Sequence, residues 1–477
     1  MAFFVAKSDS LQVANGSEFI LKIGTIKQLF ADDYILGELE NVYRVMNKPV
    51  KFVDNPLIAL NPTQKPGGNE LIIVSGNVHF DKEEHIFKMW YEGANYYWDH
   101  NVVCYAKSGD GIHWEMPNLG LIEYNGSKVN NIVFEKGIGE MAPGVLKDPV
   151  AKDPMRKYKM IYRSRGKNKW PLNGINTASS PDGIHWSTWI SEDVINKSDS
   201  PNSVLWDAKL GKYVAHTREW EGGKKTRVIL QSESYDFINW DNQKVIMRPD
   251  EKDPKNRQFY NMEWMPYEGV YFGFLAVYDE KEGPMWDKVN IQLTYSRDGR
   301  TWQRLGERQP FLSNGTEPGN VDWGQIYVMQ KPIVVGDEIW IYYTGFKGLH
   351  WATHNNELQG SSVNLCKLRL DGFISLEPGG AGTVITKLFT MSGDRLIVNA
   401  NASYNASVKV EILNKNGEPM DGFSKADCDV ISGDSVKHTV KWNGNANIGS
   451  LKDKPIKIKF YLNQSKIYSF TFLQHDT

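Results

Sequence analysis

Ser180-Pro181-Asp182-Gly183-Ile184-His185-Trp186 has three relatives elsewhere in the chain. Ser108-Gly109-Asp110-Gly111-Ile112-His113-Trp114 nearly duplicates it. Ser234-Tyr235-Asp236-Phe237-Ile238-Asn239-Trp240 keeps the Ser, Asp and Trp, and Ser296-Arg297-Asp298-Gly299-Arg300-Thr301-Trp302 restores the Gly. Leu370-Asp371-Gly372-Phe373 is a degenerate fifth copy. Each heptad reads as a turn: Ser and Asp hydrogen-bond their own backbone, Gly supplies a positive φ, and Trp fills an apolar gap. A unit recurring at this scale is one supersecondary element copied around an axis or along a solenoid. Each heptad is therefore expected to join the last two strands of a small sheet.

The sequence around the heptads supports this. Glu70–Phe80, Phe87–Glu92 and Asn101–Ala106 read as short strands leading into the first heptad. Comparable strand signals precede the others, including Tyr158–Arg163, Lys212–Arg218, Val270–Leu275 and Glu338–Tyr343. Heptads starting at 108, 180, 234 and 296 lie 72, 54 and 62 residues apart. That is longer and less regular than the roughly 40–45 residues of a WD40 blade. Five such units give an all-β chain built as a five-bladed β-propeller, with the N-terminal strands expected to complete the last blade and close the ring.

After Glu377 the pattern changes. Pro378-Gly379-Gly380-Ala381-Gly382 reads as a linker. Alternating runs follow, among them Ser407–Leu413, Ile456–Leu462 and Lys466–Phe472, with Asn416-Gly417 and Asn443-Gly444 turns between several. The expected organisation is a propeller over 1–377 and a small antiparallel β-sandwich over 378–477, a structural or sugar-binding accessory domain.

Composition limits the function. The chain of 477 residues is 41% hydrophobic and 23% charged with net charge −2, which argues against an electrostatic nucleic-acid or membrane-surface binder. Three cysteines without a CxxC give neither a disulfide framework nor a thiolate metal site. No apolar run approaches a membrane span. The first residues do not form a convincing signal peptide, so the expected location is inside the cell, or outside it after loss of a leader.

Side chains near the starts of inner propeller strands meet at one axial funnel. Hydrolysis of a glycosidic bond needs two carboxyl groups, one to protonate the leaving oxygen and one to attack or to activate water. Candidate acids are Asp148 in Lys147-Asp148-Pro149, Asp32 and Asp33 inside an apolar run, and Glu263 among aromatics, a setting that raises a carboxyl pKa. Asp199 and Asp322 precede inner strands, and Glu219 follows a second strand. The heptad aspartates are structural, since they recur in every blade. Arg163, Arg165, Arg218 and Arg227 are candidates to fix carboxylates or hydroxyls with their forked guanidinium groups. His79 is a further candidate for sugar contact, and Trp264 and Trp323 for stacking on sugar rings.

Leu29–Leu36, Phe87–Tyr91, Ser108–Trp114, Leu119–Tyr124 and Asn130–Val133 resemble the glycoside-hydrolase-like proteins of the five-bladed arabinanase, levansucrase and invertase superfamily. So do Gly422-Phe423-Ser424, Gly433-Asp434 and Tyr468-Ser469-Phe470. That superfamily includes glycoside hydrolase families 32, 43, 68 and 117. The resemblance implies three axial carboxylates acting on an oligosaccharide or polysaccharide. Lys147-Asp148-Pro149 looks like the Arg-Asp-Pro element of the invertase branch, with Lys in place of Arg. The branch's Asn-Asp-Pro and Glu-Cys motifs are absent. The expected set is Asp33 as nucleophile or base, Asp148 as transition-state stabiliser and Glu263 as acid. No cofactor is required, and a structural axial cation such as calcium is left open. Two other readings stand beside the glycoside hydrolase. One is a non-catalytic carbohydrate-binding propeller. The other is a sialidase-like enzyme, which needs six blades and an arginine triad.

Overall fold

The structure, a computed structural model, describes residues 19–60, 72–94, 101–135, 142–163, 174–196, 198–223, 226–280, 286–350 and 360–474. Among them are the five expected blades, each an antiparallel sheet. Blade I is Ile72–Asp81, Ile86–Ala94, Val102–Ser108 and Ile132–Phe134. Blade II is Gly144–Lys147, Tyr158–Arg163, Ile175–Ser180 and Ser187–Ile195. Blade III is Asp199–Asp207, Lys212–Glu221, Thr226–Ser234 and Lys244–Met247. Blade IV is Arg257–Tyr267, Val270–Asp279 and Asn290–Ser296, with Gln303–Arg304 and Pro310–Leu312 both against its third strand. Blade V has Gln325–Val328, Glu338–Phe346 and Ser361–Arg369, and its outer edge comes from the other end of the chain. Lys51 and Val50 pair with Cys366 and Lys367, and Ile58–Leu60 pairs with Val363, Ser362 and Ser361. The ring closes as expected. Five blades do not fit the sialidase-like reading.

The heptads lie where the last two strands of blades I–IV meet, and their local chemistry repeats. The Ser hydroxyl accepts from the backbone N–H three residues on, at 2.8–2.9 Å in all four copies. One carboxylate oxygen of the Asp accepts from two successive N–H groups at 2.7–2.9 Å. Gly111 and Gly183 must be glycine for two reasons. Their φ angles are +76° and +82°, and a Cβ on them would meet Tyr342 Oη or Trp90 Cζ2 of the preceding blade at 2.6 Å. The same two aromatics donate to the glycine carbonyls, Tyr342 Oη to Gly111 O at 2.7 Å and Trp90 Nε1 to Gly183 O at 2.6 Å. Phe237 takes this position in blade III at φ +68°, its ring fully buried against Tyr213, Trp189 and Trp240.

Each first strand starts at one face of the ring, here the mouth, and ends in a hairpin at the opposite face, which also carries the heptads. A second repeat holds that turn face. Asp81 and Asp148 end the first hairpin strands of blades I and II. Each accepts a tyrosine hydroxyl from the next blade at 2.8 Å, from Tyr158 and Tyr213. Asp207 stands beside Tyr271 in the same relation, in blades III and IV.

Beyond the propeller, Ile374–Thr386, Arg395–Ala402, Ser407–Leu413, Gly433–Thr439, Lys457–Asn463 and Lys466–Leu473 form the C-terminal antiparallel sheet. Two N-terminal segments join it. Leu36–Met46 pairs along Ile374–Thr386, and Gln28–Leu29 pairs with Phe470 and Ser469. Its core takes Leu21, Ile23, Phe30, Ile35, Leu36 and Val42 together with Val408, Val410, Phe460 and Phe470. The structure thus differs from a division at 377, since residues 21–46 pack with the C-terminal unit. Pro378–Gly382, read as a linker, is a bulge inside one continuous strand. Its glycines let the backbone close onto Asn41, whose Nδ2 donates to Ala381 O at 2.7 Å, and a Cβ on Gly382 would meet Asn41 O at 2.6 Å. The fifth heptad copy joins the two units. Asp371 is buried and accepts from Tyr267 Oη at 2.5 Å and Lys27 Nζ at 2.9 Å. It also accepts from Asn399 Nδ2 at 3.0 Å and Ser469 Oγ at 2.6 Å.

Candidate active site at the mouth of the propeller

Within its blade each inner strand pairs on one side only, so its other backbone edge needs partners near the axis. In blade I part of that edge pairs with the Gln330 backbone, Val78 N donating to Gln330 O at 2.8 Å and Gln330 N to Gly76 O at 3.0 Å. Two buried amide side chains supply further partners. Gln330 accepts from Val204 N at 2.9 Å and donates to Val204 O at 2.7 Å and Val145 O at 3.0 Å. Asn77 accepts from Val145 N and donates to Pro143 O, both at 2.9 Å. His79 Nε2 lies 2.9 Å from Val145 O, and burial, with Lys331 adding, pushes its pKa down to about 4. These groups tie blades I, II, III and V together across the centre, so the funnel has a floor. Among the described residues, no group of three His, Cys, Asp or Glu side chains is placed to hold a metal ion.

Glu263 stands just above this floor. It lies midway along Arg257–Tyr267 with Asn261 and Ser203 as polar neighbours. Ser203 precedes Val204 on its strand, which puts Glu263 on the mouth side of Gln330. The side chain is buried, its Oε2 makes no hydrogen bond, and burial pushes the carboxyl well above the usual carboxylate range. Burial therefore favours the protonated form of this group.

Higher in the mouth, the start of blade III brings Asp199 against two arginines. Arg163 Nη1 donates to Oδ1 at 3.1 Å, and Arg218 Nε and Nη2 donate to Oδ2 at 3.1 and 2.5 Å. Burial works against the Arg218 charge, but Asp199 and Tyr260 outweigh it and raise its pKa. The Arg218 guanidinium lies 4.0 Å from the Tyr260 ring centre. A bulge between Phe259 and Asn261 turns Tyr260 out of the ladder. Tyr260 then packs against Tyr327 at 5.3 Å and His350 at 5.0 Å, and His350 stacks on Tyr278 at 4.7 Å. Trp323 lies on the blade V side with Lys288 Nζ 4.1 Å over its ring. Glu219 accepts from Trp220 N at 2.8 Å.

The structure does not bring the three expected catalytic residues together. Asp33 is half exposed beside the C-terminal unit, ion-paired to Arg44, and its carbonyl accepts from Lys387 Nζ at 2.6 Å. Its neighbour Asp32 takes Arg297 in a two-pronged pair at 2.8 Å and the Tyr295 hydroxyl at 2.8 Å. That contact anchors the N-terminal segment on the turn face of blade IV. Burial works against the Asp32 charge, and Arg297 more than offsets it, lowering the pKa. Asp148 lies at the far end of its strand, bound by Lys159, Tyr213 and the N–H of Val150. It belongs to the repeated turn-face contact, so the likeness to an Arg-Asp-Pro element does not carry over. Asp322 sits between blades IV and V, accepting from Tyr343 Oη at 2.8 Å and Lys51 Nζ at 2.6 Å. Trp264 is core, stacked on His216 at 5.0 Å. Arg165 lies outside the described residues. Asp199, Arg163 and Arg218 come together at the mouth end of blades II and III, and Glu263 is buried midway along the inner strand of blade IV.

Sequence reading missed Tyr260, His350, Asn77, Gln330 and Glu92, the last buried with Asn101 Nδ2 2.8 Å from its Oε1. A signal was available for some of them. A lone amide in an apolar inner strand, such as Asn77, or a polar pair at a two-residue spacing, such as Asn261 and Glu263, marks the axial edge.

No family model matches the chain, and no curated protein does. Solved structures do. A thermostable family-43 glycoside hydrolase is 15% identical, over 66% of this chain and 95% of its own, with a TM-score of 0.46. The Bombyx mori GH32 beta-fructofuranosidase is 12% identical, over 87% and 95%, with a TM-score of 0.44. A glycosyl hydrolase from Bacteroides ovatus is 12% identical, over 68% and 94%, with a TM-score of 0.44. These neighbours are glycoside hydrolases by name, and likeness at this level concerns architecture.

Proposed function

We propose that the protein is a glycoside hydrolase whose site lies at the propeller mouth, with Glu263 as the general acid. The observation that carries this reading is the Glu263 carboxyl: buried midway along the inner strand of blade IV, unbonded at Oε2, and pushed by burial towards its protonated form. A neutral acid of this kind can hand a proton to a departing sugar oxygen. Asp199 is the second carboxyl group of the same mouth. Arg163 and Arg218 orient it, and Tyr260 and Trp323 offer faces for sugar rings. The test is a screen of aryl glycosides and oligosaccharides. Turnover should fall by about 10²–10⁴-fold in Glu263→Gln and in Asp199→Asn. Turnover untouched by Glu263→Gln would refute the assignment.

A second reading, a non-catalytic carbohydrate-binding propeller, is favoured by one feature. Both Asp199 oxygens already accept from guanidinium groups, which weakens the carboxylate as a base or nucleophile. Sugar binding without turnover on any glycoside would select it.

A further inference from the structure

Arg227 opens the third strand of blade III at the mouth, and among the described residues no acidic side chain pairs with it. Its surroundings are aromatic. The guanidinium lies 3.8 Å from the Trp220 ring centre, 5.5 Å from that of Tyr260 and 5.6 Å from that of Tyr278. Nη1 donates to the Tyr278 hydroxyl, and Nε is buried without a hydrogen bond. Arg218 stacks on the same Tyr260 ring at 4.0 Å, but Arg218 has Asp199 as its counter-charge. Two guanidinium groups therefore share one tyrosine, and only one of them is neutralised by a described residue. Ring faces attract a cation but do not replace a counter-ion for a partly desolvated one. A planar guanidinium set among aromatic rings, with no acidic partner among the described residues, fits an oxyanion carried by a ring.

From this we infer that the mouth selects an acidic sugar, whose carboxylate or sulfate group docks on Arg227 beside Trp220 and Tyr260. The inference rests on the carbohydrate reading of the mouth, but it does not require turnover.

The test is calorimetric titration of the full chain at low ionic strength. The probes are glucuronate and galacturonate, their neutral counterparts glucose and galactose, and galactose 6-sulfate. At least one acidic probe should bind about 10-fold or more tightly than its neutral counterpart, the scale of a charge-assisted contact. Tighter uronate assigns the site to carboxylates, and tighter 6-sulfate assigns it to sulfate esters. Arg227→Gln should abolish the preference, and Arg227→Lys should keep part of it, having the charge without the fork. The preference is a ratio within one variant, so a general loss of stability does not imitate it. Equal binding of acidic and neutral probes, no binding of any, or a preference that survives Arg227→Gln overturns the inference. An acid preference with no hydrolysis of any glycoside retains it and removes the glycosidase. Hydrolysis of neutral glycosides without a preference does the reverse.

Discussion

Replacing Gln330 with Ala tests whether the funnel floor is a structural element. The side chain meets three backbone groups: Val204 N, Val204 O and Val145 O. Val145 O keeps His79 as a partner, so the substitution strands two buried groups, both on Val204. Each stranded group costs about 1–3 kcal/mol, giving roughly 2–6 kcal/mol in all. A water admitted to the vacated space would bring the loss to the lower end of that range. Unfolding in urea, followed by tryptophan fluorescence, reads the propeller, because every tryptophan but Trp442 precedes the C-terminal unit. The exposed Gln303 is the control, and Gln303→Ala should stay within about 0.5 kcal/mol of the parent. A Gln330→Ala protein within about 1 kcal/mol of the parent would show that the inner edges do not depend on this amide.

Glu263→Gln should also leave a mark on stability. A carboxyl whose pKa is higher in the folded protein than in the unfolded chain favours folding less as pH rises from the unfolded value, about 4.3, towards the folded one. The glutamine variant lacks this term, so its unfolding free energy relative to the parent, read by urea unfolding, should climb with pH above that point, by about 1.4 kcal/mol per pH unit across the window. Parallel profiles from pH 4 to 9 would remove the buried-acid assignment. A truncation tests the domain boundary. Ending the chain at 377 should give aggregated protein, because Leu21, Phe30, Ile35 and Val42 lose their packing partners, whereas a fragment of residues 47–373 should be soluble; size-exclusion chromatography of both decides it.

The propeller was legible because its punctuation is local. Ser, Asp and Gly within one heptad satisfy their own turn, so the motif reads the same in each blade whatever surrounds it. The number of blades followed from counting strands, whereas closure of the ring rests on the pairing of residues 50–51 and 58–60 with blade V, which no count supplies. The positions of the acids were harder to read. Asp148 and Asp199 both adjoin inner strands, but one ends its strand and the other begins it, and this alone places them on opposite faces of the ring. Asp32 and Asp33 sit in an apolar run that looks like an inner strand. Its hydrophobic partners are Phe470 and Val408, more than 350 residues later, and no local pattern announces that pairing. Pro378–Gly382 has linker composition, yet it is held inside a strand by Asn41, again from the distant end of the chain.

The seam in blade V has a consequence for biosynthesis. Asn55 and Leu365 share reciprocal hydrogen bonds although 310 residues separate them. A nascent polypeptide emerging from the ribosome must carry four blades with an open ring until that last stretch appears, because contacts of such long sequence separation form late. Until then the outer edge of each end is bare backbone, ready to pair with a neighbouring chain. Slowed translation or crowding at that stage should divert the protein into aggregates, while the finished ring presents no such edge at the seam.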